Sequence, residues 1–317
     1  ASVEKNNKEY WENEFRWLFD GYRYSLGGRI QLMLGQEFVT GKKANLTAYN
    51  CFVVRSPGVN IDGNLETFTD VLDVAFKEAS IMRRGGGVGL NISNIKTVNG
   101  SNRKPSFFKF LLPKTHKDYK ELQERIKLGK FKNVEVINEL DKVIKNKEYI
   151  EPRDSVDGLF ESLEEMVKKS YDEDINELVI DFSNIRHRSA IVKGVNGRSS
   201  GAVSWMELYV LIANLLQMKK IDNVDFAEIY SHIVHLIVQG GSRRGALMLI
   251  CENDNENIVK FITRKRDSQY LTGANISVGI KEKFMSNVKK YKNGDTNKIV
   301  SDDGKLWDLI IKSAWES

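Results

Sequence analysis

The chain has 317 residues, 41% of them hydrophobic and 29% charged, a composition typical of a globular protein. This length is enough to bury a large core in one large domain or two. The net charge of +5 is mild and mixed along the chain, which argues against nucleic-acid or membrane partners. No apolar run reaches membrane-spanning length, and the polar start is not a signal peptide.

The two cysteines, Cys51 and Cys251, lie far apart in the sequence. Such usage predicts a reducing, cytoplasmic compartment without a disulfide framework. Only four histidines occur, and none has metal-ligand spacing with further partners, so we predict no metal site. The chain begins without Met, and we therefore expect a processed or excised product.

Apolar residues spaced three and four apart predict helices. These fall at residues 4–19, 64–82, 156–167, 203–218, 224–239, 257–263 and 306–315. Short apolar, β-branched runs predict strands. These fall at residues 48–55, 90–92, 178–180, 245–251 and 273–280. The alternation of helices and short strands indicates an α/β architecture.

Residues 97–152 differ in character, because basic residues outnumber acidic ones and the helical patterns, such as that around Val136, are short. We interpret this segment as an inserted, surface-exposed subdomain. The predicted organisation has four parts. They are an N-terminal helical segment (1–47), a first α/β part (48–96), the insertion (97–152) and a second α/β part (153–317).

Residues 238–250, VQGGSRRGALMLI, run from a helix pattern through a glycine-rich cationic loop into an apolar strand. Gly240 and Gly241 permit backbone conformations that other residues avoid. Arg243 and Arg244 carry planar donors suited to a phosphate or a base edge. Taken alone, the loop is either a solvated turn with surface arginines or a nucleotide-sensing loop.

Two further features carry possible chemistry. The glycines of residues 85–89 follow a helix and precede a strand, which is the reverse of a dinucleotide-binding fingerprint, so we reject that fold. Cys51 lies in a predicted strand and is either a buried, inert side chain or a redox thiol at a cleft. Cys251 precedes an acidic run that disfavours its thiolate.

Five segments, in the family's order, together resemble the catalytic subunit of ribonucleotide reductases. They are residues 50–54 (NCFVV), 84–91 (RGGGVGLN), 199–206 (SSGAVSWM), 240–248 (GGSRRGALM) and 272–278 (TGANISV). The double-arginine loop and the glycine segment resemble the adenosylcobalamin-dependent class II enzymes. Residues 150–206 are most similar to the monomeric branch of that class, in which an insertion supplies effector-site contacts.

This resemblance implies a fold, a reaction and partners. The fold would be about the first half of a ten-stranded α/β barrel built from two five-stranded halves. The reaction would be radical reduction of ribonucleotides to deoxyribonucleotides, with adenosylcobalamin as cofactor. The implied partners are a nucleotide substrate, a deoxynucleotide or ATP effector, a thioredoxin-like reductant and the C-terminal half of the enzyme.

The resemblance also implies roles for individual residues. Cys51 matches a cysteine of the redox pair that reduces the ribose, and Asn50 a neighbouring substrate contact. Gly86 and Gly87 match the backbone that closes on the substrate. The specificity loop between effector and substrate would contain six residues: Gln239, Gly240, Gly241, Ser242, Arg243 and Arg244. Gln239 and Arg243 would read the base, and Lys96 falls near an effector-phosphate position.

The sequence also departs from the family pattern. The motif of the radical cysteine, the second redox cysteine and the C-terminal cysteine pair have no counterpart in these 317 residues. We therefore expect a partial catalytic chain that does not turn over alone. Two alternatives stay open: a fragment of a class I large subunit, and a non-catalytic module that binds regulatory deoxynucleotides.

Overall fold

The computed structural model describes residues 6–25, 30, 47, 49–139, 148–192, 197–239 and 243–316. Its α-helices are α1 (Lys8–Phe19), α2 (Asn64–Met82), α3 (Tyr119–Lys127), α4 (Val156–Ser170), α5 (Ala202–Leu216), α6 (Asn223–Leu236), α7 (Ile258–Arg264), α8 (Glu282–Lys292) and α9 (Lys298–Glu316). Its first six strands are β1 (Cys51–Val53), β2 (Gly87–Asn91), β3 (Phe108–Leu111), β4 (Glu135–Ile137), β5 (Glu148–Ile150) and β6 (Leu178–Asp181). The other six are β7 (Ile191–Val192), β8 (Gly197–Arg198), β9 (Val238–Gln239), β10 (Arg243–Arg244), β11 (Leu247–Glu252) and β12 (Ala274–Gly279).

One parallel sheet has the strand order β1-β2-β11-β12. Alternate side chains of a strand point to opposite faces, and the residues that the structure describes cover only one face of this sheet. On the covered face Val88 and Leu247 are each 3% exposed and pack beneath α2 and α6. On the other face Val53 and Met248 are 93% and 43% exposed. Parallel sheets are normally covered on both faces, so this open face is a surface that further structure would cover.

A second parallel sheet has the order β4-β3-β6-β5 and therefore combines strands from the insertion with β6, which follows it. The helical pattern expected around Val136 is wrong, because Val136 lies in strand β4. A run of three or four apolar-alternating residues fits a helix turn or a strand equally well, and pairing with β3 decides for the strand.

Helices α2, α4, α5 and α6 pack against one another as a bundle beside the first sheet. The α2 prediction is confirmed at both ends. Helix α4 begins at a side-chain cap, in which the Ser155 hydroxyl accepts a hydrogen bond from Gly158 N at 3.0 Å. Helix α6 begins at a capping box formed by Asp222 and Asp225. The bundle thus fixes the direction of α6, and with it the point at which the chain leaves the helix towards β9.

The remaining helix predictions differ mainly at their ends. The helix expected over residues 224–239 ends at Leu236, and β9 follows. Helix α8 was not predicted, because between its many lysines only Phe284 and Val288 give a buried apolar spacing. Within the described ranges, no helix is both long and apolar enough to cross a bilayer.

Candidate functional site

Cys51 lies on the open face, at the amino-terminal edge of the sheet. It is paired in register with Gly87 of the neighbouring parallel strand, and its side chain is exposed. Gly87 N donates to the Asn50 carbonyl at 2.7 Å, so the residue before Cys51 is held against the glycine segment. The structure therefore brings together Asn50, Cys51 and Gly87, three residues that the sequence placed at a substrate site.

The glycines of residues 86–89 lie on two different faces of the sheet. A Cβ on Gly86 would lie 2.6 Å from the Phe52 ring and 2.7 Å from Ile81, so Gly86 is required by packing on the covered side. A Cβ on Gly89 would find its nearest atom at 4.0 Å, which is open space. Gly89 therefore leaves bare backbone on the open face, whereas Gly87, two residues earlier in β2, is buried and its added Cβ would lie 3.3 Å from Ala246 Cβ. Gly89 belongs to the glycine stretch 85–89 recognised in the sequence, but the resemblance implied a substrate contact only for Gly86 and Gly87.

Cys251 cannot pair with Cys51. The strand register places Cys251 two strands away from Cys51 and five residues further along the strand direction. At the usual rise per residue, five residues are roughly 16 Å. A disulfide requires Cα atoms about 4.4–6.8 Å apart. Cys251 also points to the covered face, where it is fully buried beside Asn223. Burial raises the pKa of the Cys251 thiol to about 11.

We expect the two thiols to differ sharply in reactivity. Iodoacetamide at pH 8 should alkylate exposed Cys51 in the folded protein and leave buried Cys251 unmodified, because the thiolate is the nucleophile. Peptide mass spectrometry measures both sites, and unfolding in denaturant should make the two labels equal. Equal labelling of the native protein would contradict the covered position of Cys251.

The predicted specificity loop leaves α6 as a short hairpin. Strand β9 pairs antiparallel with β10, with Gln239 directly opposite Arg243. Gly240, Gly241 and Ser242, which connect the two strands, lie outside the described residues.

The far end of the hairpin is fixed by close packing at Gly245. A Cβ on Gly245 would lie 2.6 Å from Met82 Sδ and 3.4 Å from Val234 Cα. Met82 ends α2 and Val234 lies in the last turn of α6. The end of the bundle therefore sets the position at which the hairpin joins β11.

A cavity of about 340 Å³ opens at this end of the helix bundle, and we call it the bundle-end cavity. Three guanidiniums line it, from Arg83, Arg186 and Arg198. Leu236 and Ile237, the residues that lead into β9, line it as well. Ion pairs hold two of the arginines: Arg186 Nε lies 2.7 Å from an Asp154 carboxylate oxygen, and Arg83 lies 3.8 Å from Asp157.

The structure does not bring Lys96 to this cavity. Lys96 is exposed and pairs with Asp62, and it is absent from the lining of the bundle-end cavity. The three arginines were missed from the sequence as a group, since they come from separate segments that only the fold unites. In the part of the chain that the structure describes, no group of three or more His, Cys, Asp or Glu side chains could hold a metal ion.

Comparison with known proteins finds similarity to the ribonucleotide reductases. Residues 211–312 match the family model of the ribonucleotide reductase barrel domain. A vitamin B12-dependent ribonucleoside-diphosphate reductase of Thermoplasma acidophilum is 28% identical over 177 residues, which are 52% of this chain and 19% of that protein. A putative adenosylcobalamin-dependent ribonucleoside-triphosphate reductase of Mycobacterium phage D29 is 25% identical, over 84% of this chain and 40% of that protein.

A solved structure is similar in fold. The crystal structure of a B12-dependent, class II ribonucleotide reductase superposes with a TM-score of 0.54 at 19% identity, covering 77% of this chain and 35% of that one. The chain thus spans less than half the length of each of these proteins.

Proposed function

We propose that this chain, a partial-length relative of the ribonucleotide reductases, forms the part of a B12-dependent reductase that holds the substrate ribose and one redox thiol. The observation that carries the proposal is the exposed Cys51 thiol, paired in register with Gly87, two residues along the strand from the bare backbone of Gly89. The relatives named above are described as B12- or adenosylcobalamin-dependent, which favours class II over class I. The open face would form one wall of the family's ten-stranded α/β barrel.

In this reaction Cys51 would be one of two thiols that together supply the electrons and protons. Replacing a ribose 2′-hydroxyl by hydrogen consumes two electrons and two protons, which two thiols supply as they become a disulfide, while the hydroxyl leaves as water. Cys251 is too far away to be the second thiol, so that thiol belongs to another part of the enzyme. Gly89 would let the sugar approach the backbone of the open face, closely enough for the Cys51 thiol to reach it.

Adenosylcobalamin would supply the radical that starts this reaction when it is bound. Around Cys51 the described residues form an open sheet surface rather than an enclosing pocket, and they do not fit a corrin by themselves. We therefore place the residues that hold the cofactor in the remainder of the enzyme and derive no step through it.

We assign the effector to the bundle-end cavity. Guanidiniums suit phosphate groups because their planar donor forks bind two oxygens at once. Arg83, Arg186 and Arg198, rather than Lys96, line that cavity. A nucleotide bound there would contact Leu236 and Ile237 and so bias the hairpin in which Gln239 faces Arg243. Effector binding would then alter substrate choice through a coupling free energy between two sites.

Cys51→Ser in the full-length protein tests the proposal. With adenosylcobalamin, dithiothreitol and ribonucleotide, we expect the rate of deoxynucleotide formation to fall by about a thousandfold. That loss corresponds to roughly 4 kcal/mol of activation free energy. Nucleotide binding by calorimetry should be unchanged. Cys251→Ala, in a cysteine far from the open face, is the control and should retain activity.

Two outcomes would contradict this assignment. An active Cys51→Ser enzyme would remove the redox role of the thiol. A wild-type full-length protein that binds nucleotides but makes no product would favour the non-catalytic regulatory module.

A further inference from the structure

A second cavity, which we call the outer cavity, lies on the other side of α5 and α6 from the bundle-end cavity. It has a volume of about 890 Å³ and is bordered by α3, α5, α6 and α7. Small-molecule sites occupy roughly 300–1,000 Å³. The two cavities share only Leu236 among their described lining residues, so their charged groups are separate.

One wall of the outer cavity carries an excess of positive charge. Arg125, Lys130 and Arg188 line it, against the carboxylates of Glu121 and Glu207. Arg125 and Arg188 share Glu121, at 3.7 Å and 3.2 Å. Two carboxylates thus face three cations, and the imbalance favours an anionic ligand.

Two polar groups on this wall lack hydrogen-bond partners. The Lys130 side chain is exposed and makes no ion pair or hydrogen bond with any residue that the structure describes, whereas its backbone N donates to the Arg125 carbonyl at 3.1 Å. The buried Glu207 Oε1 has no hydrogen bond either, although Arg125 Nε lies 3.5 Å from it without the geometry for one. Unfilled donors beside an unfilled acceptor fit a ligand that carries both an anion and a hydroxyl group.

The opposite wall carries more carboxylates than cations. Lys260 pairs with Asp222 at 2.6 Å and with Asp225 at 2.7 Å, and Arg264 pairs with Glu228 at 3.4 Å. The Arg264 guanidinium also stacks on the Tyr270 ring, 3.4 Å from its centroid. Because these cations are neutralised, this wall offers a flat surface rather than a second anion site.

We propose that the outer cavity binds a nucleoside phosphate. Its phosphates would lie at Lys130, Arg125 and Arg188, with a ribose hydroxyl donating to Glu207 and the base against the wall formed by Arg264 and Tyr270. The charged groups of this site are distinct from those of the redox site and of the bundle-end cavity. Since α6 separates the two cavities and Leu236 borders both, a ligand here touches the same helix end as an effector would.

Titration calorimetry with ADP and with inorganic pyrophosphate tests the site. We expect Lys130→Met to weaken ADP binding at least about tenfold through loss of a charge-assisted contact. Lys127→Met removes the same charge from the exposed last turn of α3, outside the cavity, and should leave the affinity unchanged. Pyrophosphate should bind more weakly than ADP, because it has no hydroxyl for Glu207.

An Arg198→Met variant separates this proposal from the effector assignment. ADP binding that survives Arg198→Met and is lost in Lys130→Met belongs to the outer cavity, whether or not the chain reduces ribonucleotides. The proposal is overturned if Lys130→Met binds ADP as tightly as the wild type. It is also overturned if Arg198→Met alone abolishes binding, or if pyrophosphate binds as tightly as ADP.

Discussion

Replacing Gly273 by alanine should lower the free energy of unfolding by about 3 kcal/mol, the upper range for overpacking. A Cβ there would lie 2.2 Å from the Ser231 carbonyl oxygen and 2.9 Å from Val234 Cβ. Both belong to α6, and a helix backbone cannot yield as a flexible side chain can. The displacement would also strain the hydrogen bond from Gly273 N to Ser231 Oγ, now 2.9 Å. Urea denaturation followed by circular dichroism measures the change.

Gly89→Ala is the matched control for this substitution. Gly89 lies within strand β2 and, like Gly273, has no positive φ, but the nearest atom to its added Cβ is 4.0 Å away. The change should alter stability by less than about 0.5 kcal/mol. Equal destabilisation by the two substitutions would show that contact with α6 is not what requires glycine at position 273.

Replacing Glu78 by methionine should raise the free energy of unfolding at pH 8 by about 2–3 kcal/mol. Glu78 lies in α2, is fully buried, and neither carboxylate oxygen has a hydrogen-bond partner within the described structure. Burial therefore raises its pKa well above the ordinary value. Methionine keeps the length of the side chain and removes the group that is costly to bury.

The stability gain should depend on pH in a defined direction. Below about pH 4.5, the ordinary value, Glu78 is protonated in both folded and unfolded chains, so its ionisation costs nothing. As the pH rises, the unfolded chain releases the proton and the folded chain retains it until its raised pKa is reached. Wild-type stability should fall across this window by up to about 1.4 kcal/mol per pH unit.

Denaturation of both proteins between pH 4 and pH 8 measures this difference. Glu124→Met, on the exposed surface of α3, is the control for replacing a glutamate by methionine without emptying a buried site. A constant difference between wild type and Glu78→Met across the range would contradict a buried, titrating carboxyl.

The spacing of apolar residues predicted the individual helices and strands whose formation depends on neighbouring residues in the sequence. Helix α2 was placed to the residue, because its apolar stripe has regular spacing and the glycines after Arg84 end it. The strand that carries Cys51 was found for a similar reason, as a short apolar run before Pro57. The adjacency of Cys51 and Gly87 followed only from the resemblance.

Other features depend on the tertiary fold. Gly86 and Gly89 look alike in sequence, and only the strand register shows that the first faces Phe52 and the second faces the open side. Periodicity cannot show that β2 pairs with β11, because it reports neighbours in sequence rather than in space. Lys130 and Glu207 likewise meet at one cavity only after α3 packs on α5.

The strand order of the first sheet has a consequence for how the chain folds as it is synthesised. Residues 92–246 separate β2 from its neighbour β11, whereas the β3–β6 pairing closes within residues 108–181. Contacts close in sequence form faster, because less chain entropy is lost in closing the loop. The second sheet and its helices therefore assemble while β2 still has an unpaired edge, and chaperones would act during that interval.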